Sequence, residues 1–141
     1  MFENSVPPGA AWLEIVSRST LQAFSSAFCA DPILEAVVVA EPALGVRAIY
    51  DFFRATRSMY EHIAFVHEIR SSTRACLEWE GVFQGESISG ATILIFEASG
   101  AIERIRLFHF PHKQLNAFSA ELGRRQSQKT ASINPLSRSA V

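Results

Sequence analysis

The hydrophobic pattern of the chain changes its period near Ile63, and this change constrains the fold more than any other feature. Upstream of Ile63, apolar residues recur at helical spacing, most regularly in the segment that Gly45 opens. Downstream of it, apolar and polar residues alternate through four short segments that are separated by turn residues. Helices that precede a run of strands are typical of an α+β fold. We therefore predict helices packed on one face of a curved, mostly antiparallel sheet.

The upstream half is predicted to contain three helices and one strand. A short helix surrounds Trp12, and a second helix starts near Thr20, because Ser19 and Gln22 have the spacing of a capping box. The other expected features are the end of the second helix at Asp31-Pro32, a strand over Ile33 to Val39, and a long helix from Gly45 in which Ile49, Phe52, Phe53, Tyr60 and Ile63 follow helical spacing.

The downstream half is predicted to form an antiparallel meander and a closing helix. The four expected strands cover about residues 63–69, 77–83, 87–96 and 102–110. Pro111 ends the last strand, and Leu115, Phe118 and Leu122 then mark an amphipathic helix. Gly123 is expected to cap that helix at its C-terminus.

Size and composition indicate one domain with a substantial core. The chain has 141 residues, of which 48% are hydrophobic, and its eleven Phe indicate either a large core or a lined cavity. We expect an N-terminal arm over residues 1–9, one domain over 10–123, and a flexible basic tail over 124–141. The tail carries Arg124, Arg125, Lys129 and Arg138 with no acid. Scattered charges of this kind are typical of a solvated end.

Composition and missing motifs argue against several classes of protein. The formal net charge of -1 gives no sign of a nucleic-acid partner, and no apolar run approaches the 18 residues of a membrane span. The first residues lack the pattern of a signal peptide, and Cys29 and Cys76 do not form a disulfide framework, so we expect a cytoplasmic protein. Phosphate-loop, dinucleotide and esterase motifs are absent from the sequence, and we expect no cofactor.

Two histidines are the sharpest candidates for chemistry. His67 shares its predicted strand face with Phe65, and His109 shares its predicted face with Leu107. Each would place a polar group on an inward apolar face, and histidine is the natural general acid or base near neutral pH. The alternative is a core or rim histidine that a single hydrogen bond satisfies.

Other patterned residues have simpler interpretations. His109 and His112 form an H-x-x-H pair, but no carboxylate or cysteine lies at a supporting spacing, so we expect no metal site. Two pairs of charged residues alternate with inward apolar residues, so we expect them to point outward, where they either pair across the sheet or are ordinary surface charges. They are Glu78 and Glu80 on one strand, and Arg104 and Arg106 on another.

Large residues on the inward faces are candidates for the lining of a pocket. Trp12, Tyr60 and Trp79 are amphipathic aromatics, which either stack on a flat ligand or fill the core. Leu94 and Phe96 lie on the third strand of the meander and extend this predicted apolar lining.

Four motifs taken together resemble a known family. They are Gly45 to Phe53 at a helix start, Leu77 to Gly81 in a strand, Gly85 to Gly90 at a turn, and Phe96 to Ile102 in a hairpin. In order and spacing they resemble the SnoaL-like branch of the nuclear transport factor 2-like superfamily, over about residues 11 to 122. The resemblance implies a cone-shaped α+β barrel, a pocket for a small apolar molecule, no required metal, and a homodimer formed through the outer sheet face.

That superfamily includes ketosteroid isomerases, whose chemistry needs a carboxylate base and an oxyanion hole from a Tyr and a protonated Asp. The resemblance places the base at Ala36, the oxyanion Tyr at Trp12 and the oxyanion Asp at Thr92. All three roles are lost, which argues against that isomerisation, although the same positions can still line a pocket. Glu35 serves the pocket only after a slip by one residue or a bulge, because neighbours along a strand face opposite ways.

The sequence thus predicts a function only as a class. Polyketide cyclases, epoxide hydrolases, dehydratases and non-catalytic binding domains share this fold, so the fold alone assigns no activity. The leading hypothesis is a cavity for a small hydrophobic molecule that is polyketide-, steroid- or terpenoid-like. Any cyclase, isomerase or hydratase chemistry would use His67 or His109 for proton transfer, with Thr92 donating a hydrogen bond. The alternative is a non-catalytic ligand-sensing or protein-interaction domain.

Overall fold

The computed structural model describes residues 6–133, with side chains for residues 6–128. The helices are α1 (Ala10–Val16), α2 (Leu21–Ser25), α3 (Val46–Arg57) and α4 (His112–Ile133). The strands are β1 (Phe28–Ala36), β2 (Ala43–Leu44), β3 (His62–Arg70), β4 (Arg74–Phe83), β5 (Glu86–Phe96) and β6 (Ile102–Phe110).

The six strands form one sheet in the order β2-β1-β6-β5-β4-β3. Strands β3 to β6 follow one another as an antiparallel meander, and β1 joins the far side of β6 in parallel. Helix α3 contacts β1, and α4 contacts β5 and β6. The predicted α+β fold, with helices packed on a curved and mostly antiparallel sheet, is confirmed.

The inner face of the sheet is read most directly from its rows of paired residues. Trp79 of β4 pairs with Gly90 of β5, and Gly90 pairs with His109 of β6. In the next row, Leu77 pairs with Thr92, and Thr92 pairs with Leu107. Every residue of these two rows is buried, and Gly90 is the one that has no side chain. These two rows position the site described below.

The N-terminal part of the chain departs from the helical prediction. Helix α2 ends at Ser25, and Phe28 already pairs with Ile102 in the sheet. The residues up to Pro32 were predicted to be helical, but pairing with β6 overrides their local spacing. The N-cap is Thr20, whose hydroxyl accepts a hydrogen bond from the backbone N–H of Ala23 at 3.1 Å, and not a Ser19–Gln22 capping box.

The long helix α3 begins after Gly45, as predicted, but ends at Arg57. Tyr60 and Ile63 therefore lie beyond the helix, and Ile63 belongs to β3. The backbone N–H of Glu61 donates to the carbonyl of Val82 at 2.8 Å, so the chain is already paired with β4 there. Sheet pairing again ends a helical pattern earlier than the apolar spacing does.

Helix α4 continues ten residues past Gly123, so the predicted C-terminal cap at that glycine is wrong. Ion pairs within the helix connect the residues on either side of Gly123, since Glu121 contacts Arg124 and Arg125 at 2.6 Å each. Arg125 also donates to the Ser58 hydroxyl at 3.2 Å, which ties the helix to the end of α3. The predicted tail therefore starts as helix. Residues 134–141 of the tail and residues 1–5 of the arm lie outside the described part of the chain.

A bulge in β3 reverses the face of His67. Phe65 pairs with Trp79, but His67 pairs with Glu78, so Val66 is the extra residue. His67 consequently lies on the outer face with Glu78, and it is exposed. The expectation that His67 shares the inner face with Phe65 is wrong, because strict alternation does not survive one inserted residue.

The outward charges pair differently from the prediction. Arg104 and Arg106 contact the carboxylate of Glu35 at 2.9 Å and 3.0 Å, and both pairs are partly exposed. Glu78 and Glu80 cannot take this place, since β5 lies between β4 and β6. Glu35 pairs with Arg106 in the parallel β1–β6 ladder and so lies on the outer face. The two arginines lower the pKa of the Glu35 carboxyl.

No helix within residues 6–133 is both long and apolar enough to cross a membrane.

The continuation of α4 predicts that Gly123→Ala stabilises the protein by up to about 1 kcal/mol, because glycine costs backbone entropy inside a helix. A β-carbon at Gly123 meets no atom within 4 Å, and its backbone has no positive φ. Urea unfolding measures the change.

Gly100→Ala is the matched control, since a β-carbon there also meets open space but the backbone has φ +93°. We expect Gly100→Ala to destabilise. A loss of stability in Gly123→Ala would instead indicate a left-handed helix cap at Gly123.

Candidate functional site

A partly open cavity of about 160 Å³ lies between the helices and the inner face of the sheet. Its buried lining residues form the deep wall, and its exposed ones, such as Leu13 and Arg57, form the rim. The full lining is Trp12, Leu13, Val16 and Ser17 from α1 and its C-cap, Phe53, Thr56 and Arg57 from α3, Tyr60 from the following loop, and Ile63, Phe65, Trp79, Thr92 and Leu107 from the sheet. The lining is mainly aromatic and aliphatic.

The deep wall depends on the contact between Trp79 and Gly90. A β-carbon at Gly90 would collide with the Trp79 indole and with the carbonyl oxygen of Phe108. Because glycine has no side chain, the indole lies over β5 and reaches the edge of His109, with ring centroids 5.1 Å apart at 76°. The glycine inside this strand therefore marks a close approach of a side chain to the backbone.

Tyr60 and His109 form the polar centre of this wall. The Tyr60 hydroxyl lies 2.7 Å from Nε2 of His109. Phe118 of α4 packs against both rings, at centroid distances of 5.0 Å and 4.7 Å. Tyr60 lines the cavity, whereas His109 lies behind it and is 2% exposed. Any interaction of His109 with a ligand in the cavity must therefore pass through Tyr60.

Burial sets the charge state of this pair. Desolvation lowers the pKa of His109 to about 4 and raises the pKa of Tyr60 well above its ordinary value. Both groups are therefore neutral at pH 7. Within residues 6–128, Nδ1 of His109 is the one fully buried side-chain polar atom with no hydrogen-bond partner.

The remaining polar groups of the lining residues are hydroxyls, one guanidinium and the indole N–H groups of Trp12 and Trp79. Thr92 is 2% exposed, and its side chain makes no hydrogen bond to any residue that the structure describes. Arg57 lies at the rim, where it donates to the carbonyl oxygen of Val16 at 2.6 Å and ties α3 to α1. No carboxylate is among the lining residues. The cavity thus offers hydrogen-bond donors but no strong base.

Four of the predicted site residues line the cavity, and they come from four separate segments of the chain. They are Trp12, Tyr60, Trp79 and Thr92. His109 is in contact with this group through Tyr60. The oxyanion positions that the resemblance places at Trp12 and Thr92 are thus both at the cavity, whereas Ala36, at the position of the base, is not among its lining residues.

The other predicted site residues lie elsewhere. His67 and Glu35 are on the outer face of the sheet. Leu94 is buried in the core, where it pairs with Ala75 and Ile105, and it is not among the lining residues. Phe96 lies at the far end of β5 under the guanidinium of Arg70, 5.4 Å from the ring centroid. None of these four residues is among the lining residues: His67 and Glu35 lie on the outer face, and the strand face that carries Leu94 and Phe96 is longer than the cavity that covers part of it.

Several lining residues are missing from the sequence-based prediction. Phe53 packs edge-on against Trp12, with centroids 5.3 Å apart, and Phe65 pairs with Trp79. Both were recognisable as apolar face residues of α3 and β3. Nothing in the local pattern distinguishes a residue that lines a cavity from one that fills the core, because both face inward.

Across residues 6–128, no group of three or more His, Cys, Asp or Glu side chains is arranged to hold a metal ion.

No protein-family model matches the chain, and no curated protein sequence matches it. Solved structures do match. A steroid delta-isomerase from Pseudomonas aeruginosa is 19% identical, with a TM-score of 0.76 over 86% of this chain and 90% of its own. An uncharacterised bacterial protein with a cystatin-like fold from Silicibacter pomeroyi is 12% identical, with a TM-score of 0.75 over 89% of each chain.

A protein of the SnoaL-like family from Agrobacterium tumefaciens is 13% identical, with a TM-score of 0.54 over 71% of this chain and 92% of its own. These likenesses confirm the predicted α+β fold and identify it as a cystatin-like fold that a protein of the SnoaL-like family shares. At such low identities they show the fold alone, and the activity has to be argued from the cavity.

The lowered pKa of His109 predicts a loss of stability in acid. An unfolded histidine takes up a proton near pH 6.5, whereas folded His109 does so only near pH 4. Stability is therefore unaffected by His109 above pH 6.5, and it falls by roughly 3 kcal/mol as the pH drops from 6.5 to 4. The His109→Phe variant should not show this loss of stability, because it has no imidazole at this position.

Urea unfolding of both proteins at several pH values between 7 and 4 measures the difference. The other three histidines are present in both proteins and cancel in the comparison. An equal loss of stability in the two proteins would show that folded His109 titrates near its ordinary pKa.

Proposed function

We propose that the protein binds a small apolar molecule of about the size of a single ring in the cavity beneath α1. The cavity of about 160 Å³ carries this proposal. A protein cavity of roughly 150 Å³ with apolar walls accommodates benzene. Pockets for larger, drug-sized ligands measure roughly 300–1,000 Å³. Among hydrophobic ligands, the size therefore favours one ring or a short branched chain over fused polycyclic molecules.

The aromatic lining supports a flat ligand. Trp12, Phe53 and Phe65 come from three different elements and border the same space as Tyr60 and Trp79. Aromatic side chains of this kind pack against a flat ring by offset or edge contacts. A polycyclic, steroid- or polyketide-like ligand would fit only if the rim around Leu13 and Arg57 moved outward.

The polar groups favour binding over proton abstraction. The group that removes a proton from carbon is most often a histidine or a carboxylate in contact with the ligand, and the raised pKa of Tyr60 keeps its hydroxyl protonated at pH 7. The lining holds no carboxylate, and His109 is separated from the cavity by Tyr60. Tyr60 and Thr92 can instead donate hydrogen bonds to one polar atom of the ligand. The proposed activity is therefore ligand binding, and a catalytic role of His109 would require relay through Tyr60.

A variant that fills the cavity tests the proposal. Val16 lines the cavity from α1 and is half-buried, so Val16→Phe should occupy ligand space from the rim. Toluene, benzene and cyclohexane are each titrated while the melting temperature is recorded. A ligand at about 100 times its dissociation constant adds roughly 2.7 kcal/mol, which is a shift of a few degrees for this domain size. We expect the shift in the wild type and its loss in Val16→Phe.

Val37→Phe is the matched control, because Val37 is 45% exposed and lies outside the lining. It should keep the wild-type shift. An equal shift in both variants would place binding elsewhere on the protein. The absence of any shift in the wild type would favour the alternative, a protein-interaction domain whose cavity is only an imperfection of the core.

We also propose a homodimer that forms through the outer face of the sheet. Three apolar side chains support this proposal, since Val66, Ile69 and Phe110 are 47%, 72% and 55% exposed on that face. Burial of these side chains between two sheet faces would stabilise such a dimer. The Glu35–Arg104–Arg106 cluster lies on the same face and would contribute polar contacts.

A double variant tests the dimer. Val66→Glu with Phe110→Glu places two buried negative charges in the proposed interface and should yield monomers. Light scattering coupled to size-exclusion chromatography measures the mass. Leu13→Glu on the helical side of the molecule is the control and should leave the mass unchanged. The dimer would be refuted if the wild-type protein eluted as a monomer even at about 100 times the protein concentration of the melting-temperature measurements.

A cytoplasmic location is a further part of the proposal. Cys29 and Cys76 are both free, on strands that two other strands separate. Free, half-buried thiols are typical of a reducing compartment.

A further inference from the structure

We infer that His109 turns the hydroxyl proton of Tyr60 away from itself and towards the cavity, so that the cavity selects ligands whose polar group is a hydrogen-bond acceptor. This inference rests on the proposed function, because it concerns the ligand of the same cavity. It makes His109 a positioning residue, since His109 acts on the ligand only through Tyr60.

The first step is the isolation of His109. Its ring is enclosed by Trp79, Phe118 and Tyr60, and the residue is 2% exposed. Nε2 has the Tyr60 hydroxyl at 2.7 Å, whereas Nδ1 is fully buried with no partner among the described residues. The imidazole therefore makes a single hydrogen bond, and that bond goes to Tyr60.

The second step concerns the direction of this bond. A neutral imidazole carries one proton, on Nδ1 or on Nε2. A proton on Nδ1 would leave a fully buried N–H without an acceptor. A proton on Nε2 would leave a fully buried nitrogen lone pair without a donor. Among buried backbone groups, an N–H without a partner is rarer than an incompletely satisfied acceptor, and we apply the same preference to the imidazole. The structure thus favours the proton on Nε2.

The third step follows for Tyr60. If Nε2–H donates to the Tyr60 oxygen, the hydroxyl keeps its own proton for another acceptor. Tyr60 lines the cavity, so a ligand is the group that can supply this acceptor. A ligand that presents only an N–H donor would leave the Tyr60 proton unpaired in a buried site, which is costly.

Thr92 offers a second hydroxyl that can donate to the same ligand. It is the diagonal neighbour of His109 across β5 and β6, since Thr92 pairs with Leu107 and Gly90 pairs with His109. Its hydroxyl has no partner among the residues described. Tyr60 and Thr92 are therefore two lining residues whose hydroxyls are able to donate. The ligand class that fits is a small ring bearing a carbonyl or a similar acceptor oxygen.

The tautomer is tested first, without any ligand. Nitrogen-15 NMR of histidine-labelled protein at pH 7 distinguishes a protonated ring nitrogen from an unprotonated one, and His109→Phe assigns the signals. We expect Nε2 protonated and Nδ1 unprotonated. The opposite pattern would overturn the inference, whatever the cavity binds.

The ligand preference is tested with isosteric pairs. Cyclohexanone and methylenecyclohexane differ by an acceptor, and aniline and toluene differ by a donor. We expect Tyr60→Phe to weaken the affinity for cyclohexanone about tenfold, because one hydrogen bond is lost. The affinity for methylenecyclohexane should stay unchanged. We expect His109→Phe to free the Tyr60 hydroxyl to accept, which raises the affinity for aniline relative to toluene. Melting temperatures confirm that both variants fold.

The outcomes separate this inference from the proposed function. Binding of the apolar members with no effect of Tyr60→Phe on cyclohexanone would overturn the inference and leave the proposed function standing. An unchanged ratio of aniline to toluene affinity in His109→Phe would overturn the positioning role. Failure of all four compounds to bind the wild type would refute the proposed function together with the ligand selection, while the NMR result would still decide the tautomer.

Discussion

The close contact between the Trp79 indole and the backbone at Gly90 is the constraint on which the site depends. Trp79, Gly90 and His109 form one row across three strands, so a side chain at the middle position would hold the indole off the sheet. With glycine there, the indole lies flat enough to meet the His109 ring and still form a wall of the cavity. The size and shape of the cavity therefore depend on the absence of one side chain in the middle of the sheet.

The pair of Tyr60 and His109 illustrates how burial determines chemistry. Histidine on an inward strand face suggested an acid or base, but the low dielectric around His109 disfavours its charged form. The same burial limits the imidazole to one hydrogen bond, with Tyr60. A buried histidine that is neutral at pH 7 has no imidazolium proton to give, but its remaining N–H can orient a neighbouring hydroxyl. His109 thus contributes to the site by setting the direction of a hydrogen bond.

Sequence-based predictions were correct for some elements of the structure and wrong for others. The change of period near Ile63 predicts the meander correctly, because alternation and turn residues are local properties. Trp12, Tyr60, Trp79 and Thr92 were also expected at a pocket and do line the cavity. The expectation for His67 was wrong, since one extra residue at Val66 reverses every later side chain of β3. Gly123 looked like a helix cap, but ion pairs around Glu121 and the contact with Ser58 accompany a helix that continues.

The sequence by itself determined the fold class, the order of the longer helices and strands, and most of the residues that face inward, because these follow from hydrophobic period and turn chemistry. Only the tertiary structure decided which inward residues border empty space, which strand pairs with which, and which partner His109 has. Those features depend on contacts between residues far apart in the chain, such as Tyr60 with His109 and Glu35 with Arg104. Local spacing carries no information about such contacts, since a bulge or a parallel strand pairing changes them without changing the pattern.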